Sequence, residues 1–301
     1  MPSLIAHSLK AFTRAYIKHI PESRDSLVRH LRRYMSNSPM PTLLPRGVAA
    51  ERFQEGEIRG LRVRVTAPGQ VILYLHGGGY VCGKPRTYLN LCGRLAKELH
   101  AEVWLPAYRV APEHPFPAAV HDAAASYELL LKQGWRPDQI TIAGDSAGGG
   151  LTLGTLLYLR DQGRPMPRCA VVFSPFADVR SITPSVAGND ASDWMLGRAM
   201  LEMGRGLYAT SPRDDVNPYA SPALGDYTGL PPLFVTVCEH ECLRDDAYAV
   251  QAKALAAGVP VTLLARPDLM HVWPIFVPLL PEAREDLQRV VNFIRGAGRG
   301  R

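Results

Sequence analysis

Two short segments of this 301-residue chain carry residue types that could perform acyl transfer. The first is Gly-Asp-Ser-Ala-Gly at 144–148, which follows the apolar run Ile-Thr-Ile-Ala and precedes a helical pattern. A serine hydroxyl becomes a useful nucleophile when a neighbouring base takes its proton. A sharp strand-to-helix turn would hold the Ser146 hydroxyl out beyond the end of a sheet. The flanking glycines give that turn room, and the start of the following helix favours a developing negative charge. The second segment is His-Gly-Gly-Gly-Tyr at 76–80, after the run Val-Ile-Leu-Tyr-Leu. Successive glycines let main chain come close to a bound molecule and aim N–H groups at a tetrahedral oxyanion. Each segment also has a plainer reading, as a glycine-rich turn with a bystander serine or as a flexible phosphate loop. A phosphate loop would show G-x-G-x-x-G or G-K-[ST], and neither is present.

A base and an acid must complete the set, and on such a scaffold the chain order is serine, acid, histidine. His271 lies just after the last strand run, 125 residues beyond Ser146, in a loop that can reach back over the sheet edge. His7, His19 and His30 precede the core, His100 ends a helical pattern, and His114 and His121 come before the serine. His240 stands where the acid is expected, and His76 is better placed to hold the glycine loop than to act as base. The acid is sought in Cys-Glu-His-Glu-Cys-Leu-Arg-Asp-Asp, 238–246, where Glu239, Glu241, Asp245 and Asp246 are candidates. Asp245 and Asp246 open the next helix, where carboxylates stabilise the N-terminus. Glu241 therefore ranks first and Asp245 second. Asp145 is read as adjacent to the nucleophile only through the turn, with no chemical role.

The elements that must position these residues show as apolar runs. Strands are expected at 61–66, 71–75, 103–105, 140–143, 170–173, 233–237 and 261–264. Helical patterns occupy 88–99, 118–132, 149–160, 246–257 and 281–294. The alternation predicts a mostly parallel sheet covered on both faces, wound by right-handed crossovers. Near the start, Ile5, Leu9, Phe12, Tyr16 and Ile20 recur at helical spacing, with Lys10, Arg14 and Lys18 on the opposite side. A second helix is expected at 23–35, followed by a Pro- and Ser-rich linker. Residues 178–222 break the alternation with a helical piece at 194–208 and several turns, the pattern of a lid.

Hydrophobic residues make up 47% and charged residues 21%, which is ordinary for a globular protein. The net charge of +6 is spread without a run of five or six like charges, so a nucleic-acid footprint is not supported. The basic tail at 295–301 reads as a solvated end. Five cysteines, an odd number, lack zinc-knuckle or C-x-x-C spacing and read as reduced thiols. No signal-peptide pattern and no 18-residue apolar stretch is visible. The expectation is a soluble cytoplasmic protein without stable membrane insertion.

The chain resembles the bacterial hormone-sensitive-lipase family of carboxylesterases over residues 71–277. The resemblance rests on HGGGY, AYRVAPEHPFPAA at 107–119, GDSAGG, SPFAD at 174–178, YASPALGDYTGLPPL at 219–233 and MHVW at 270–273. It implies an α/β-hydrolase fold: an eight-stranded, mostly parallel sheet flanked by helices under a small helical cap. The core would comprise 49–179 and 218–298, and the cap 1–48 and 180–217. It further implies a catalytic Ser146, Glu241 and His271 and an oxyanion hole made by the backbone N–H groups of Gly78, Gly79 and Ala147. Many members carry Asp where Glu241 stands, and a branch uses Glu. YRVAPEHPFPAA and Asp122 would be scaffold. The implied activity is hydrolysis of short- to medium-chain esters, with no cofactor and no metal. Amide or lactone hydrolysis on the same scaffold is an alternative. So is a small-molecule receptor, although related plant receptors have lost the histidine that His271 supplies here. Members often form homodimers through an edge strand, a role open to 261–264.

Overall fold

The computed structural model describes residues 2–18, 22–35 and 42–297. Among them, eight strands form one sheet: β1 (Ala49–Glu55), β2 (Ile58–Arg64), β3 (Gln70–Leu75), β4 (Ala101–Pro106), β5 (Ile140–Asp145), β6 (Cys169–Phe173), β7 (Leu233–Cys238) and β8 (Val261–Arg266). Their order is β1-β2-β4-β3-β5-β6-β7-β8. β2 runs against both its neighbours, and every pairing from β4 to β8 is parallel. The helices are α1 (Leu4–Tyr16), α2 (Arg24–Tyr34), α3 (Leu89–Leu99), α4 (Ala118–Lys132), α5 (Ala147–Asp161), α6 (Pro184–Gly188), α7 (Arg198–Tyr208), α8 (Pro212–Asp215), α9 (Arg244–Ala256) and α10 (Pro281–Gly296).

Strand alternation builds two cores. Val71, Leu73 and Leu75 of β3 pack with α4, α5 and α9, whereas Ile72 and Tyr74 pack with α3 and α10. All five residues are fully buried, as a central strand covered on both faces must be. From β3 the chain winds outward to β4, then crosses back to β5 and continues to β8. The loops leaving β3 and β5 therefore diverge and open a crevice at the carboxyl ends of adjacent strands. Both glycine motifs lie there. Leu75 pairs with Gly144, which sets the first loop residues side by side.

Several expectations need correction. β1 had no apolar alternation to announce it, because it is an edge strand in which only Phe53 is buried. β2 starts at Ile58 rather than 61. α7 begins at Arg198 rather than 194, because Asp193 accepts the N–H groups of Met195 and Leu196 in a turn. In α1 the buried residues are Ala6, Lys10 and Thr13, while Ile5, Phe12 and Tyr16 are 41–50% exposed. Lys10 lies against the Trp194 ring, 5.7 Å from its centroid, so its stem packs despite its charge. Ile20 and residues 298–301 of the tail lie outside the described residues, as does 36–41 of the linker. Ser3 ties the start of α1 to α10: its N–H and hydroxyl donate to the Glu282 carboxylate at 2.6 and 3.0 Å. No described helix is long and apolar enough to cross a membrane.

Candidate active site

Ser146 follows β5 and caps α5 with φ 52° and ψ −121°, a positive-φ conformation that non-glycine residues adopt only when the surroundings enforce it. The enforcement is steric and hydrogen-bonded. The Ser146 N–H donates to Phe173 C=O at 2.8 Å, and its own C=O accepts from Gly150 and Phe176. A Cβ on Gly148 would sit 2.0 Å from Leu75 O, so α5 can pass over β3 at this distance only with glycine there.

The structure brings Ser146, His271 and Glu241 together. His271 Nε2 is 2.9 Å from Ser146 Oγ, and Nδ1 is 3.2 Å from Glu241 Oε2. With Nδ1–H donating to the carboxylate, Nε2 is left to accept the serine proton. Both His271 and Glu241 are almost fully buried. Burial pulls the imidazole pKa down, but the Glu241 charge and hydrogen bond outweigh it and leave His271 above its ordinary value. Burial raises the Glu241 carboxyl, opposed by His271 and by the Ser174 hydroxyl. Ser174 also accepts the Val272 N–H at 3.1 Å, which holds the backbone beside His271.

The other candidates lie elsewhere. Asp245 accepts the Ser185 N–H at 2.8 Å and pairs with Arg244. Asp246 accepts the N–H groups of Ala177 and Asp178. Glu239 accepts from the Tyr248 hydroxyl. His76 donates from Nδ1 to Gly77 C=O and stacks on Tyr108 at 4.2 Å, and burial lowers its pKa to about 4. Asp122 clamps Arg109 by its backbone N–H and guanidinium.

Gly78 and Gly79 line the pocket beside Ser146, and their N–H groups find no acceptor among the described residues. Ala147 opens α5, where no carbonyl of the helix can reach its N–H. These three donors can receive an oxygen that turns negative near Ser146. The pocket has a volume of about 150 Å³ and mostly apolar walls. They come from α1 (Leu9, Phe12), α2 (Leu31, Tyr34), the Met195–Leu196 turn and α7 (Met200, Leu201).

Sequence reasoning missed two buried carboxylates. Asp193 joins a pocket wall to the acid loop: beside its bonds to Met195 and Leu196 it accepts the Cys242 N–H at 2.7 Å. The available signal was an Asp able to bond the N–H two residues on, the mark of an Asx turn. Asp145, read above as a bystander, accepts from two tyrosines and from Gly77. Its signal lay inside the motif and was passed over.

A sequence profile described as the α/β-hydrolase fold matches residues 72–275. The chain belongs to the α/β-hydrolase family. Among the relatives of this hydrolase is an acetyl-hydrolase of Streptomyces hygroscopicus, 45% identical over 231 residues, 76% of each chain. An ethyl acetate hydrolase of Pseudomonas putida is 33% identical over 233 residues, 75% of this chain and 73% of that one. Of solved structures, an esterase from the bacterial hormone-sensitive lipase family superposes with TM-score 0.87 at 34% identity, covering 98% of both chains. The crystal structure of EstE5 soaked with p-nitrophenyl butyrate does so with TM-score 0.87 at 36% identity, covering 98% of this hydrolase and 99% of that chain. The family and the fold expected from the motifs are the ones found.

Proposed function

We propose that this hydrolase is a serine carboxylesterase that cleaves short- to medium-chain carboxylic esters through an acyl-enzyme. The reading is carried by the hydrogen-bonded chain Ser146–His271–Glu241 at the floor of an apolar pocket. His271 takes the serine proton as Oγ attacks the ester carbonyl, and Glu241 stabilises the imidazolium that forms. The carbonyl oxygen, now negative, is received by the N–H groups of Gly78, Gly79 and Ala147. His271 returns the proton to the leaving alcohol. A water then gives its proton to His271 and attacks the acyl carbon; the acyl–Oγ bond breaks, His271 passes the proton to Ser146 Oγ, and the acid leaves. These steps use protein groups and water alone. Residues 1–48 and 180–217 act as a cap on the core of 49–179 and 218–298, lending the pocket its walls from α1, α2 and α7. The named activities of the acetyl- and ethyl acetate-hydrolase relatives support the short-acyl end of the range.

Hydrolysis of p-nitrophenyl esters from C2 to C12 by wild type and Ser146→Ala tests this. Turnover that the substitution reduces by several orders of magnitude is expected. Turnover surviving the substitution, or none on any ester, overturns the assignment.

A further inference from the structure

We infer that Asp145 is a positioning residue for the oxyanion-binding loop: its buried carboxylate fixes Gly77 and so aims the N–H groups of Gly78 and Gly79 at the ester carbonyl oxygen. The inference rests on the esterase reading of the site. Asp145 makes no side-chain hydrogen bond to Ser146, Glu241 or His271, and all three that its carboxylate accepts come from the glycine loop and its two ends. Oδ1 accepts the Tyr74 hydroxyl and the Gly77 N–H, each at 3.0 Å. Oδ2 accepts the Tyr88 hydroxyl at 3.0 Å, and the Tyr88 oxygen shares the Gly77 N–H at 2.9 Å. Tyr74 belongs to the strand entering the loop, and Tyr88 closes the short helical turn after it. One carboxylate thus holds the entry, the first glycine and the exit.

A second, independent observation comes from the space around Gly77. A Cβ there would stand 2.3 Å from Asp145 Oδ2 and 2.9 Å from Asp145 O. The first glycine of the triplet is what lets the carboxylate sit against the loop backbone. The parallel register, Leu75 beside Gly144, delivers the two residues to each other. The Asp of one motif and the first Gly of the other are therefore a single device split between two strands. Hydrogen bonds to an ionised carboxylate are stronger than neutral ones, which suits a loop whose donors must not retreat as charge develops.

The Asp145 charge also reaches His271 and lifts its pKa. The titratable groups facing Asp145 are the hydroxyls of Tyr74, Tyr88 and Tyr108, the Cys92 thiol and His271. Burial raises the Asp145 carboxyl itself to about 6, against the pull of its tyrosine hydrogen bonds. Losing the carboxylate should move the acid limb of kcat/KM to lower pH, a change that loss of packing would not cause.

The test uses Asp145→Asn and Tyr88→Phe, with p-nitrophenyl butyrate as substrate and an alkyl trifluoromethyl ketone, whose serine adduct carries an oxyanion, as inhibitor. For Asp145→Asn, kcat should fall about 10- to 100-fold, less than the cost of deleting an oxyanion donor outright. KM should stay within about threefold, since ground-state binding does not use the aimed donors. The inhibition constant should weaken by the same factor as kcat/KM, and the acid limb should move down. Tyr88→Phe should show the same parallel loss at roughly a third of its logarithm, as one of three donors to the carboxylate. If Asp145→Asn does not fold, Tyr88→Phe alone decides. A rise in KM with kcat unchanged, or inhibitor affinity that does not follow kcat/KM, overturns the inference. Wild type that neither turns over the ester nor binds the ketone through Ser146 overturns the esterase reading instead.

Discussion

Replacing Glu241 by Gln changes one charge and almost no volume. The amide oxygen can still accept the His271 Nδ1–H, so the ring keeps a partner while losing its counter-charge. The carboxylate stands 3.2 Å from Nδ1 and is shielded from water. Two unit charges at that separation in an effective dielectric of about 20 interact by about 5 kcal/mol. That interaction exists only once His271 is protonated, which is the transition state and not the resting enzyme. Its loss should therefore lower kcat by about three to four orders of magnitude and leave KM within about threefold. Stability should not follow activity. Burial disfavours the Glu241 charge, so the neutral variant should melt within about 4 °C of wild type, the shift of roughly 1 kcal/mol in a domain of this size. The assay is steady-state hydrolysis of p-nitrophenyl butyrate with a thermal melt on the same samples, and Asp245→Asn as comparison. Asp245 is engaged with Ser185 and Arg244, and its variant should keep kcat within about threefold, as surface-type changes do. A Glu241→Gln enzyme within tenfold of wild type, or an Asp245→Asn enzyme equally impaired, would refute the assignment of the acid.

Two further outcomes follow from other parts of the molecule. Burial pushes the Asp246 carboxyl up to about 8, against the hydrogen bonds from the Asp178 and Ala177 N–H groups. A folded-state pKa raised this far means stability that is complete below the unfolded value near 4 and is lost as pH rises through 8. Asp246→Asn should therefore flatten the fall in Tm between pH 5 and 9, read by thermal melts across that range, and an unchanged slope would count against a protonated Asp246. Leu196→Trp thickens a pocket wall whose backbone is pinned by Asp193 and cannot recede. The longest p-nitrophenyl ester cleaved should shorten while acetate turnover stays within about threefold, and an unaltered chain-length profile would place the acyl chain elsewhere.

The parallel core was legible because its central strands are buried on both faces and so appear as near-continuous apolar runs, as at 71–75 and 233–237. β1 was not, since an edge strand with one buried residue, Phe53, has no pattern to show. The positions of Ser146, His271 and Glu241 could be placed from chain order and from loops following particular strands, which are properties of one dimension. The roles of Asp145 and Asp193 depend on which loops meet across the sheet, and nothing in local spacing encodes that. The setting of α1 was hidden for a related reason. Helical periodicity finds the apolar stripe but not what it faces. Here Leu9 and Phe12 of the stripe line the pocket, leaving Phe12 half exposed, while Lys10 is buried against Trp194.

The bond from Ser3 to Glu282 spans 279 positions. Synthesis proceeds at about 5–20 residues per second, so α1 leaves the ribosome roughly 15 to 60 seconds before the helix it docks on. Throughout that interval Ala6 and Leu9, which in the finished fold pack into the core shared by α3 and α10, belong to a nascent chain with no place to put them. The pocket is accordingly among the last features to be completed, because one of its walls is made first and seated last. A newborn chain passes through a stage in which the sheet is growing and its first helix is an unsheltered greasy strip, the kind of segment that holdase chaperones recognise.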